Sequence, residues 1–248
     1  MTLIDASLLV LAAFAAGLVN AIAGGGTFLT FGALTAVGVS PIVANATSSM
    51  TQFPGQITST LAYWRDVRTF GRSALVLGAI SVLGALAGAY ALLALDNPLF
   101  RALVPWLLLA ATALFAAGPW LRPKLGADAK GHGLIGLPAQ FLTAIYGGFF
   151  GAGMGVMMLA TLGLTIPGDY HRLNAMKNLL AGVIGAVSIL VFVAGGVIAW
   201  PQALVMIPAV AGGAYAGVWL AKRAAQHIVR AFVIAIGLGL AAYYFVTG

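Results

Sequence analysis

Long apolar runs alternate with short polar interruptions along this chain, and the pattern predicts ten helical segments. In the first half they fall near residues 6–23, 27–39, 42–64, 72–95 and 99–121. In the second half they fall near 134–152, 156–167, 171–193, 203–221 and 228–246. A helix needs about 20 apolar residues to cross a bilayer. The second segment of each half is much shorter and follows directly on a cluster of glycines. Segments one and two of each half therefore predict a broken or re-entrant hairpin. Irregular backbone of that kind is tolerated at membrane depth only inside protein or against a watery cavity.

Two polar interruptions lie where an ordinary spanning helix would have none. Ala23-Gly24-Gly25-Gly26-Thr27 removes the side chains that stiffen a helix. Ala44-Asn45-Ala46-Thr47-Ser48 brings polar groups to a depth where an unpaired one is costly. Both recur. A shift of 129 residues places Gly24 on Gly153, Gly26 on Gly155, Asn45 on Asn174 and Ala46 on Ala175. The same shift lays Ala74-Leu75-Val76 on Ala203-Leu204-Val205, Gly84 and Gly88 on Gly213 and Gly217, and Arg101 on Arg230. So long an ordered series marks an internal duplication. Residues 1–121 make a first transmembrane repeat, 122–133 a polar cytoplasmic linker and 134–248 a second repeat. Gly84-x-x-x-Gly88 and its copy Gly213-x-x-x-Gly217 are small-residue faces suited to close helix approach.

Composition places the whole chain in a membrane. Hydrophobic residues make up 62% and charged residues 7%, and the mean hydropathy is +1.05; a soluble domain carries roughly 25% charged residues. Cysteine is absent, which excludes disulfides, iron–sulfur clusters and thiol-ligated zinc. Three histidines and five carboxylates, all Asp, lie scattered, so no metal or other cofactor is expected. No Ser–His pair, His-x-x-x-His or carboxylate pair suggests an enzyme. Asp5, Asp66, Asp96, Asp128 and Asp169 fall at segment ends or loops, which argues against a cation substrate or a buried-carboxylate proton relay. Asp169 can cap a helix start, or handle protons with His171 at the cytoplasmic mouth.

Charge also fixes orientation. The net charge of +7 reflects topology in a membrane chain, and no nucleic-acid partner is expected. Arg65, Arg68 and Arg72 follow segment three, while Arg122, Lys124 and Lys130 occupy the linker. Lys222, Arg223 and Arg230 lie between the last two segments, and Arg172 opens the eighth. If these face the cytoplasm, only Arg101 is left outside, with Lys177 near or within the membrane. The positive-inside rule then makes the two repeats inverted and puts both termini on the outer side. The expected fold is an all-α integral membrane protein with two inverted repeats of four to five helical segments. A Gly-rich broken or re-entrant hairpin opens each repeat, as in secondary transporters.

A glycine break exposes backbone N–H groups, and the half-helix after it carries partial positive charge. Gly24, Gly25, Gly26 and Thr27 can thus cradle an anion, with Gly153 and Gly155 as their counterparts; equally, the glycines can serve tight packing alone. Asn45, Ser48, Ser49 and Gln52 share one helical face, with Thr47 beside them, and Asn174, Lys177 and Asn178 are the equivalents. That face can bind a polar substrate, or its amides can tie helices together. Lys177 replaces Ser48 of the first half and lies six residues after His171, roughly 9 Å along a helix. Its stem can snorkel to the surface, or its charge can balance one bound anion.

Gly17-Leu-Val-Asn-Ala-Ile-Ala-Gly-Gly-Gly-Thr27, a short apolar segment and Gly38-Val-Ser-Pro-Ile-Val-Ala-Asn-Ala-Thr47 resemble the TauE/SafE family of sulfite exporters and related permeases. The second copy, Gly151-Ala-Gly-Met-Gly155 with Asn174-Ala175, is weaker: Met154 stands where Gly25 does, and Met176-Lys177 where Thr47-Ser48 do. The resemblance covers nearly the whole chain. It implies export or uptake of a small sulfur-containing anion, such as sulfite, thiosulfate, sulfoacetate or another organosulfonate, across a prokaryotic inner membrane. The residues themselves point to an anion-selective secondary transporter working by alternating access. An anion channel, or a non-transporting membrane partner of an enzyme complex, are the alternatives. A homodimer is compatible with each.

Overall fold

A computed structural model describes residues 1–22, 25–121, 133–165, 170–220 and 226–247. Gly24, Asp128, Asp169 and residues 122–132 of the expected linker lie outside these, as do Lys222 and Arg223. Regular structure among the described residues is entirely helical. The order is α1 Leu3–Ile22, α2 Gly26–Ala36, α3 Pro41–Ala62, α4 Trp64–Val67, α5 Arg72–Leu93, α6 Asn97–Leu121, α7 Gly133–Phe149, α8 Met154–Thr165, α9 Tyr170–Ala194, α10 Trp200–Leu220 and α11 Gln226–Thr247. Among the described residues, five stretches are long and apolar enough to cross a membrane: Leu3–Ala21, Arg72–Leu93, Asn97–Ala117, Arg172–Ala194 and His227–Thr247. At 22 residues α3 also has the length, but Asn45-Ala-Thr-Ser-Ser, Thr51 and Gln52 lower its hydropathy. The chain is a multi-pass helical membrane protein.

At 1.5 Å per residue, α2 and α8 are about 16 and 18 Å long, roughly half the hydrocarbon thickness. Each therefore ends inside protein unless it is extended by its neighbour.

Small residues set the closest helix pairs. α1 packs on α10 and α5 on α7. A side chain at Gly17 would meet the Val210 carbonyl, one at Gly213 the Phe14 carbonyl, and one at Gly217 the backbone of Leu18. In the other pair, a side chain at Gly88 would meet the Ile145 carbonyl and one at Gly148 the Ala85 carbonyl. Helices in lipid gain little from hydrophobicity, so this close van der Waals approach is what holds them.

Two further contacts join counterpart helices. α3 lies on α9 and α6 on α11. Gln56 faces Gly185, the position 129 residues later: its Oε1 is 2.5 Å from where a Gly185 Cβ would sit. Arg101 of α6 donates to the Thr247 carbonyl at the end of α11, 2.6 Å away. Its copy Arg230 donates to the Phe115 carbonyl in α6 and stacks over the Phe115 ring at 4.9 Å. Arg230 thus lies within α11 rather than in the preceding loop, because its guanidinium reaches the Phe115 carbonyl, whose helical donor position four residues on is Pro119, which has no N–H. Around these contacts an aromatic cluster fixes the end of α7: Phe150 packs edge-on to Phe31 (5.9 Å) and Phe149 to Phe100 (5.8 Å).

Candidate functional site

Both glycine breaks are strained in a way only glycine relieves. Gly25 is the N-cap of α2 with φ of 87°, and Gly153, just before α8, has φ of 75°. An L-residue in this left-handed region costs about 1–2 kcal/mol. At Gly25 a Cβ would also lie 2.6 Å from Val233 Cγ1 and 3.4 Å from the Phe115 ring. The Met154 that replaces Gly25 in the gap-free alignment opens α8 as its first helical residue. Gly153 takes the left-handed conformation instead.

The two breaks meet one turn of α6. Phe115 touches Gly25, and the Ala111 carbonyl lies 3.2 Å from where a Gly153 Cβ would sit. Between them Thr112, 3% exposed, has no hydrogen-bond partner for Oγ1 among the described residues. The first turns of α2 and α8 thus start beside the same short piece of backbone. Phe28 N–H donates to the Gly25 carbonyl, and Met154 and Val156 N–H donate to the Gly151 and Gly153 carbonyls, so each first turn is partly closed on its own break while carrying the positive end of a helix dipole.

Polar residues from α3 close over the first break. Ser48 Oγ is 2.6 Å from Thr30 Oγ1 and 3.5 Å from the Thr27 carbonyl, while Thr30 Oγ1 also donates to that carbonyl at 3.1 Å. Gly26 is buried against the Ala16 carbonyl. In the second half Lys177 holds the place of Ser48. Its Cδ is 3.7 Å from where a Gly155 Cβ would sit, so serine and lysine each flank the start of a short helix. Lys177, Asn174 and Asn178 are half-buried on α9.

Asn45 and Thr47 reach across the halves. Asn45 Nδ2 donates to the Phe149 carbonyl at 2.9 Å, at the last turn of α7 and on the edge of the second break. Thr47 Oγ1 accepts from the Ala199 N–H at 2.9 Å, just before α10. Asn45, Thr47, Ser48, Thr51 and Gln52 are all at most 5% exposed, so this face is shut inside the protein in the conformation described. Gln52 Nε2, buried among them, has no hydrogen-bond partner among the described residues, a state that costs roughly 1–3 kcal/mol.

Three contributors escape a reading of sequence. Thr30 is hidden in an apolar run, and only its four-residue spacing from Gly26 hints at its place beside the break. Phe115 and Thr112 carry no mark at all, since they matter through the helix they face. Among the described residues no group of three or more His, Asp or Glu side chains could hold a metal ion.

Glycine-broken half-helices beside buried polar groups, inside a multi-pass helical chain, have the build of a membrane transporter. A family profile described as "Sulfite exporter TauE/SafE" matches residues 9–244, and the chain belongs to that family. It is 28% identical over 236 residues to the "Probable membrane transporter protein YfcA" of Escherichia coli K12, covering 93% of this chain and 86% of that protein. A "Probable membrane transporter protein" of Haemophilus influenzae is 26% identical over 225 residues, covering 89% and 87%. A "Probable membrane transporter protein ORF9" of a Sinorhizobium species is 27% identical over 243 residues, covering 94% and 89%. No solved structure matches significantly.

Proposed function

We propose that the protein is a secondary transporter, not an enzyme, and moves a small sulfur-containing anion such as sulfite, thiosulfate or an organosulfonate across a prokaryotic inner membrane. The observation that carries this reading is the convergence of both glycine breaks on Ala111 and Phe115 of α6. Two half-helix N-termini supply backbone donors and positive dipole without a fixed countercharge. Lys177 adds one full charge on the second side, and Asn45 with Asn174 orient the oxyanion. Gly24, Gly25, Gly26, Thr27, Thr47, Ser48, Gln52, Gly153, Gly155 and Asn178 complete the set. Sulfur oxyanions suit it because they present several acceptor oxygens and carry only one or two charges.

Reciprocal packing supports inverted repeats: α1 lies on α10 as α7 lies on α5, and Arg101 and Arg230 each donate to a carbonyl of the opposite half's last helix. With the basic loops inside, both termini face outward. Five crossings in each half, or three crossings plus a re-entrant pair of α1 and α2, both satisfy that arrangement. Rocking of one half against the other gives alternating access, and burial of Asn45, Thr47 and Ser48 corresponds to an occluded state.

A thermal-shift panel on detergent-purified protein tests the substrate class, using sulfite, thiosulfate, sulfoacetate, taurine, sulfate, phosphate and chloride. A ligand that binds only the folded state, at 100 times its Kd, stabilises by about 2.7 kcal/mol. A selective rise with one sulfur anion is expected. Equal responses to every anion would contradict the reading.

A further inference from the structure

The polar face of α3 does not stop at the glycine break. Ser48, Gln52, Gln56 and Thr60 recur every four residues and so form one stripe along the helix. Its upper end, Ser48, is bonded at the first break. Its lower end approaches α4, which carries Arg65, with Arg68 just beyond. Opposite the lower half of the stripe, α9 presents glycine: Gln56 Oε1 lies 2.5 Å, and Thr60 Oγ1 3.6 Å, from the Cβ positions of Gly185 and Gly182. Pro54, between the two glutamines, has no N–H and leaves the Met50 carbonyl without its helical donor.

Two groups in this seam are unspent. Gln52 Nε2 is a donor and Gln56 Oε1 an acceptor; both are buried and neither has a hydrogen-bond partner among the described residues. Gln52 is 5% exposed. Apolar side chains of the same length would fill the same space. Buried polar groups that break the rule of satisfaction mark places where a protein gives up stability for function.

We propose that Gln52 and Gln56 form a second station for the transported ion, between the glycine break and the basic end of α3, that takes a singly charged, protonated oxyanion. The station rests on the transporter reading above. An anion oxygen accepts from Gln52 Nε2, and the hydroxyl of the same ion donates to Gln56 Oε1. Hydrogen sulfite has both groups and one charge. A dianion would bring two charges to a seam with no basic side chain on the stripe.

The test uses Gln52→Met and Gln56→Met, which keep side-chain length and remove the polar ends. Sulfite binding is titrated in mildly acidic buffer, where sulfite is chiefly the hydrogen monoanion, with sulfate as the unprotonated dianion. Both variants are expected to melt without ligand at or above the wild-type temperature, because each loses an unsatisfied buried group, while sulfite affinity falls at least tenfold. Wild-type protein is expected to prefer sulfite to sulfate. Unchanged sulfite affinity in Gln56→Met, whatever Gln52→Met does, a lowered unliganded melting temperature, or equal binding of sulfate would overturn the station. Wild-type protein that binds none of the sulfur anions would instead overturn the transporter reading, and the station with it.

Discussion

Gly88→Val is expected to abolish recovery of folded protein. The space a side chain would need at Gly88 is filled by the Ile145 carbonyl, with the Phe149 backbone nitrogen 2.9 Å away. Neither is a flexible side chain, so relief requires α5 and α7 to separate along their length. Overpacking of cores costs typically 1–3 kcal/mol, and a backbone obstacle places this change at or above about 3 kcal/mol. Separation also withdraws the contacts that hold helices together in lipid, where hydrophobicity contributes little. Gly213→Val should behave alike, since the Phe14 carbonyl stands in its way. Gly78 lies on the same helix as Gly88 with nothing near its Cβ position, so Gly78→Val is the control and should remain folded. Size-exclusion profiles and melting temperatures of the three variants decide the matter. A monodisperse, wild-type-like Gly88→Val would contradict the close packing of α5 on α7.

Lys177→Met is expected to remove most anion transport and leave the fold intact. The lysine stem lies against Gly155 at the start of α8, and methionine retains most of that apolar length. What is lost is the charge proposed to face the bound anion. A charge-assisted hydrogen bond contributes about 1.5–3 kcal/mol, which corresponds to a fall of roughly ten- to a hundredfold in affinity. Lys177→Arg keeps the charge and should retain part of the activity. Flux into proteoliposomes, read beside the melting temperature, separates the roles. Unchanged flux in Lys177→Met would take Lys177 out of the site, and a large fall in melting temperature would make its role structural.

Much of this molecule can be read without coordinates because lipid imposes simple rules. Segment ends expected from hydropathy fall within three residues of the helix ends in every case. The shortness of α2 and α8 was visible, as were the breaks before them. The four-residue α4 was not, since Trp64-Arg-Asp-Val67 reads as part of a charged loop. Tertiary partners were the least legible. Asn45 stood out as polar in an apolar run, yet its acceptor, the Phe149 carbonyl, lies 104 residues away. Thr47 meets a backbone N–H 152 residues on. Arg230 read as a loop charge because a guanidinium in a helix is costly until its acceptor is known, and Phe115 supplies that acceptor from another helix. Gln56 lay one turn beyond Gln52, and four-residue spacing alone would have added it to the stripe.

Sulfite counterflow in reconstituted liposomes tests the central claim most directly. Vesicles containing the purified protein are loaded with unlabelled sulfite and diluted into a trace of labelled sulfite. A carrier that alternates between two faces should accumulate label transiently above equilibrium, with saturable dependence on internal sulfite and no effect of equimolar chloride. Label that only equilibrates, without overshoot or saturation, would identify a channel and contradict alternating access.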